Sequence, residues 1–185
     1  MYDSYTWIET QVDPQYEYHA AMARVMGLLV LDFSDSAVLP IDTADLASAL
    51  AQYAEQIEHK AHALDMSPVR AAIEAFAAAS DKFEQSKDAL PDACANLVLA
   101  RLERAFLDPQ GLPRRKWFRH VLQAPGFFLG YAAEVFPGLQ EALTLKDEAL
   151  FARQVLRVAD VIHSAARVFA LAGACDASSA AADTM

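Results

Sequence analysis

The chain has 185 residues, of which 55% are apolar and 10% aromatic, and a formal net charge of −10. That length suits one domain burying roughly 70% of its unfolded surface, and the apolar content excludes a disordered polar chain. An acidic balance argues against nucleic acid and anionic membrane surfaces as partners, because both demand clustered positive charge.

Five stretches carry helical period. The first begins after Asp13-Pro14 and is marked by Tyr18, Met22, Val25, Met26, Leu29 and Phe33. The second is marked by Leu46, Leu50, Tyr53, Ile57, Ala61 and Leu64, with Asp42 as its expected N-cap. Ser67-Pro68 opens the third, whose stripe is Val69, Ile73, Phe76 and Phe83. Pro91-Asp92 opens the fourth, with Val98, Leu102 and Phe106 facing inward. The last is expected from about Thr144 to Leu171, stopping at Gly173, with the seam Phe151, Val155, Val158, Ile162, Ala165 and Phe169. Alternating steps of four and three along a seam are the pattern of a helix packed among other helices. The expected fold is an all-α helical bundle over residues 1–175, followed by a disordered small-residue tail over 176–185.

Residues 108–138 break the period. They hold four of the eight prolines and four of the six glycines, together with Trp117, Phe118, Phe127, Phe128, Tyr131 and Phe136. A long irregular connection that rich in aromatics is expected to be ordered and functional.

The same segment carries a family resemblance. The run from Leu102-Glu103-Arg104-Ala105-Phe106 through Leu107-Asp108-Pro109, then Gly111-Leu112-Pro113 and Trp117-Phe118-Arg119-His120-Val121, opens it. Ala124-Pro125, Tyr131-Ala132 and Phe136-Pro137-Gly138 continue in order. At the front, Tyr2-Asp3-Ser4-Tyr5, Trp7, Asp13-Pro14, Tyr18-His19 and Val38-Leu39-Pro40-Ile41-Asp42 agree. Together they resemble the C-terminal helical domain of the glutamate carboxypeptidase II and transferrin receptor family. The resemblance implies a transferrin receptor-like dimerisation domain, a homodimer, and a parent with a two-zinc peptidase domain. It places the zinc ligands and the catalytic Glu upstream of Met1, so no catalytic residue, metal ligand or cofactor is expected on this chain. Tyr131 matches a family tyrosine that contacts the carboxylate side of the substrate. Gly130 stands where glutamate-preferring members carry a lysine, and the lost cation removes the obvious partner for a substrate carboxylate. The implied function is a non-catalytic dimerisation domain that helps complete the substrate site of its parent, located outside the cytoplasm if that parent is secreted. The alternative is a stand-alone protein–protein interaction module.

Other clusters are weighed on their residues. Glu55, Glu58, His59 and His62 share a helix face, but a di-metal carboxylate bundle needs Glu-x-x-His on two helices, so a solvated polar face is favoured. Arg114, Arg115, Lys116, Arg119 and His120 concentrate positive charge. They read either as an anion contact or, preferably, as internal partners of Asp and Glu that hold the loop. His19 and His163 read as structural histidines. Cys94 reads as a small buried apolar residue, and two cysteines leave the compartment open. No basic-then-apolar leader opens the chain, and no uninterrupted apolar run approaches the ~18 residues of a membrane span.

Overall fold

The computed structural model describes residues 4–128, 130 and 132–175. The chain divides into two compact units, Met1–Pro40 and Ile41–Met185.

In the first unit a short helix α1 (Tyr5–Trp7) leads into a π-turn over Ile8–Val12 and then into α2 (Glu17–Asp35). The Ser4 hydroxyl accepts from the Trp7 N–H at 3.2 Å, which starts the first turn. Asp13 is buried, and its Oδ2 accepts from the His19 N–H at 2.9 Å and meets His19 Nδ1 at 2.6 Å. Burial pushes the Asp13 carboxyl up, but the His19 ring and the N–H groups of Glu17, Tyr18 and His19 outweigh it and hold the group below its ordinary value. Asp13 therefore satisfies the open N–H groups of α2 from four residues before its start. His19 is a hydrogen-bonded structural residue. None of the residues of α2 is buried, and Tyr18, Met22, Val25, Met26, Leu29 and Phe33 all lie exposed.

The second unit holds the core. Its helices are α3 (Thr43–Ala61), α4 (Ser67–Ser86), α5 (Asp92–Leu102), α6 (Pro137–Leu145) and α7 (Glu148–Val168). Asp42 caps α3 by accepting from Ala44 and Asp45, as its position predicts. Thr43 then ties α3 to α4: its hydroxyl lies 2.7 Å from the buried Ser80 and 2.8 Å from Glu84. α7 packs most extensively on α4, and α4 on α3. The sequence stripes form this centre: Leu50, Ile57, Val69, Phe76, Val98, Phe106 and Ile162 are fully excluded from solvent or nearly so. The Phe76 ring meets those of Phe106 and Phe169 at 5.9 and 5.4 Å between centroids. Such contacts add ~0.5–1.5 kcal/mol to simple area burial.

Three features depart from the sequence expectation. The last helical stretch is two helices, not one from Thr144. Lys146 adopts a left-handed conformation that ends α6, and Asp147 caps α7 by accepting from the Leu150 N–H at 2.8 Å. Gly173 does not stop the chain's helical course, which turns at Phe169 and resumes over 170–175. Helical glycine costs only ~1 kcal/mol relative to Ala, and Ala172 in the core fixes this last stretch. Finally, Cys94 is buried as expected but is joined by a disulfide to Cys175, closing a separation of 81 residues. Sequence pattern alone does not reveal which two distant thiols meet.

Averaged over 18 residues, the helix spanning Glu148–Cys175 is apolar and long enough to cross a membrane. Its seam of Phe151, Val155, Val158, Ile162 and Ala165 is buried in the core while Arg153, Asp160 and Arg167 lie exposed.

Candidate functional site

The segment before α6 is ordered from its two ends inward. At its start a tight 3-10 turn (Glu103–Phe106) sends the chain into a bridge between Leu107 and His120. The Val121 N–H donates to the Phe106 carbonyl at 3.1 Å, and the Asp108 N–H to that of Arg119 at 2.8 Å. The nearly buried Asp108 carboxylate pairs with Arg157 of α7, anchoring the loop on the bundle. At its end, two short antiparallel strands, β1 (Gln123–Pro125) and β2 (Ala133–Val135), form a hairpin. These strands had no sequence signal, since three residues are too few to show alternation. Phe136 follows in a left-handed conformation (φ 44°), fully buried, with the Tyr53 ring edge-on at 6.3 Å.

Tyr131, the one residue assigned a substrate contact by resemblance, lies outside the described residues. Its neighbour Gly130 has φ +67° and donates its N–H to the Gly126 carbonyl at 2.9 Å, so the hairpin turn needs a residue free to enter the left-handed region.

The basic cluster divides in two. Arg115 points inward, donating to the Pro125 carbonyl and lying over both Phe118 and Phe127 at 5.4 and 5.3 Å. Arg114 lies over Phe127 at 5.1 Å, with its Nε 3.1 Å from Glu141 Oε1. His120 meets Glu103 at 2.9 Å. Arg114 and His120 thus meet Glu side chains, as the internal reading anticipates, whereas Arg115 is held by a carbonyl and two aromatic rings. Lys116 and Arg119 remain exposed and, among the described residues, form no ion pair.

Glu141 of α6 is the most unusual group. Its side chain is wholly buried, and although Arg114 stands at ion-pair distance, the angle leaves both carboxylate oxygens without a hydrogen bond. Burial pushes its carboxyl above the ordinary value, and the cations of Arg114 and Arg115 only partly offset this.

On α3, Glu58 pairs with Arg70 of α4, and His59 lies 3.8 Å from Glu55 on an exposed face. His62 ends that helix with positive φ. Among the described residues no group of three His, Cys, Asp or Glu side chains is placed to hold a metal.

Fold and site together define a helical packing domain with an ordered aromatic loop. Residues 64–170 match the transferrin receptor-like dimerisation domain, and the chain belongs to that family. It is similar to a probable glutamate carboxypeptidase, LAMP1, of Arabidopsis thaliana (33% identity over 77% of this chain and 22% of the relative). It also resembles a probable glutamate carboxypeptidase of Arthroderma benhamiae (29%, covering 95% and 26%) and aminopeptidase NAALADL1 of Rattus norvegicus (30%, covering 80% and 21%). The chain thus spans about a quarter or less of the length of these curated relatives.

Proposed function

We propose that this chain is the non-catalytic dimerisation domain of a glutamate carboxypeptidase-like zinc peptidase. The observation that carries the reading is family membership over residues 64–170, joined to the large apolar surface that α2 leaves exposed. A helix apolar on so much of its circumference is stable in water only when another surface covers it. In this reading a second copy of the protein supplies that cover, and a stable interface removes at least ~1,200 Å² from water. Zinc, its ligands and the catalytic Glu belong to the parent's peptidase domain, and Tyr131 contributes orientation of the substrate to that site. Nucleic acid and membrane have no part in the activity, and the Cys94–Cys175 disulfide favours an oxidising compartment.

Sedimentation velocity of the 185-residue chain at micromolar concentration tests the reading. A dimer is expected, whereas a monomer over a wide concentration range contradicts self-association. Peptidase assays with added zinc are expected to show no turnover, and activity that follows the purified chain overturns the non-catalytic assignment. The alternative, a module that serves a separate peptidase chain, is distinguished by whether this sequence and a peptidase domain occur in one polypeptide.

A further inference from the structure

We propose that the cleft between the loop at 109–119 and the first half of α7 is a binding site for a compact, multiply charged oxyanion bearing phosphate or clustered carboxylate groups. The proposal is independent of dimerisation. The cleft has a volume of about 590 Å³, and its walls include Arg114, Lys116, Arg119, Arg153 and Arg157. Five of the chain's 15 Lys and Arg residues therefore meet here, in a chain whose net charge is −10. Among the described residues no Asp or Glu lines the cleft.

Two of the five are partly neutralised from outside it, Arg157 by Asp108 and Arg114 by Glu141. Lys116, Arg119 and Arg153 have no carboxylate partner among the described residues, although acidic side chains outnumber basic ones by 25 to 15 in this protein. An arrangement that gathers cations and leaves them unpaired is self-repelling until an anion enters, and a concave wall focuses its field.

Both walls are built on hydrogen-bonded backbone. On the loop, Gly111 has φ +71°, and a Cβ there would stand 2.4 Å from the Lys116 carbonyl oxygen, so the two strands of the turn touch. The Leu112 N–H donates to the Phe118 carbonyl at 2.7 Å and the Phe118 N–H to that of Arg115 at 2.9 Å, which fixes the turn carrying Lys116 and Arg119. On the helix, Arg153 and Arg157 stand one turn apart on a face that also presents Gln154 and Leu150 to the cleft. Guanidinium forks match the planar or tetrahedral oxygens of carboxylate and phosphate, and two of them, Arg114 and Arg157, are already held in place by a carboxylate. The volume exceeds what one small monovalent anion fills, so the multiply charged class is preferred.

Calorimetric titration of the 185-residue chain with pyrophosphate and with citrate, at constant ionic strength, tests this. At least one of the two is expected to saturate a single site per chain. Replacing both Arg119→Gln and Arg153→Gln is expected to weaken it about a hundredfold. Arg101→Gln, on α5 and outside the cleft, is expected to leave it unchanged. Lys116→Gln, at an exposed loop position, is the second variant should the double one fail to fold, and a several-fold weakening is expected from it. Saturation by pyrophosphate alone assigns a phosphate ligand, and by citrate alone a carboxylate ligand. The proposal is overturned if neither probe saturates by millimolar concentration, or if Arg101→Gln weakens binding as much as the cleft variants.

Discussion

The helices α2 and α7 make a useful contrast. Both are long, both carry apolar residues at helical spacing, and both are opened by an aspartate. Yet α7 buries seven residues between Phe151 and Ala165 while α2 buries none. In α7 most of the large apolar residues lie on one buried seam, with Leu156 an exposed exception and arginines on the open face; in α2 they run nearly around the helix through Leu28, Leu29, Val30 and Leu31. Periodicity of side chains says that a helix forms, and the width of the apolar arc says how many neighbours it needs. A narrow arc is satisfied by neighbours on one side, and a broad one needs neighbours on several.

Substitutions in the seam's neighbourhood should show the largest effects. Phe76→Ala on α4 removes a fully buried ring packed tilted against Phe106 and edge-on against Phe169, and is expected to cost ~3–5 kcal/mol in a denaturant melt. A loss under ~1 kcal/mol would mean that the second unit is not organised around this cluster. Removing the disulfide with Cys94→Ala and Cys175→Ala comes next, at ~2–5 kcal/mol, because the bridge closes a long loop. A thiol reductant should lower the wild-type melting temperature by a matching amount and leave the double variant unmoved.

How much of this was legible beforehand follows from the range of each signal. Asp42 by its cap, and Pro68 and Pro91 by their fixed φ at the first turn or just before it, mark helix starts because these signals act within a few residues. The stripes Val69, Ile73, Phe76, Phe83 and Val98, Leu102, Phe106 are buried for the same local reason. The Cys94–Cys175 pair, the Arg157–Asp108 anchor and the buried Glu141 depend on contacts across long separations, which local pattern does not encode. For the site, sequence singled out Lys116 and Arg119 within a basic run but missed the facing wall. Arg153 and Arg157, spaced four apart on the polar side of an otherwise apolar helix, were the available sign.

Two carboxylates within the second unit should move stability in opposite directions with pH. Glu84 is held below its ordinary value: burial raises it, but Lys87 and both the hydroxyl and N–H of Thr43 outweigh that. Its contribution is complete above the unfolded value of 4.5 and is lost as pH falls through its lower folded value. Glu141 is raised, so its penalty is absent below 4.5 and grows as pH climbs to its higher folded value. Glu84→Gln is therefore expected to destabilise at neutral pH by about 1 kcal/mol, and Glu141→Gln to stabilise by a similar amount. Both differences should vanish in acid. Thermal melts of the two variants across acidic to neutral pH give the check, and a common sign at neutral pH would contradict the opposed environments.

The smallest effect on folding is expected where the contrast began. Met26 on α2 is exposed, so Met26→Ser should change the stability of a dilute monomer by less than ~0.5 kcal/mol. The same change should weaken self-association about tenfold if a second copy covers this helix, since truncating an anchor at the centre of an interface typically costs over ~1 kcal/mol. Sedimentation equilibrium of the wild-type and Met26→Ser chains separates the two quantities. A dimer constant unchanged by Met26→Ser, and likewise by Leu29→Ser one turn on, would move the association surface off α2 and onto the second unit. That outcome would leave the broad apolar arc to be covered by the parent's own chain, so that α2 reports on intramolecular packing while dimerisation resides in the region matched at 64–170.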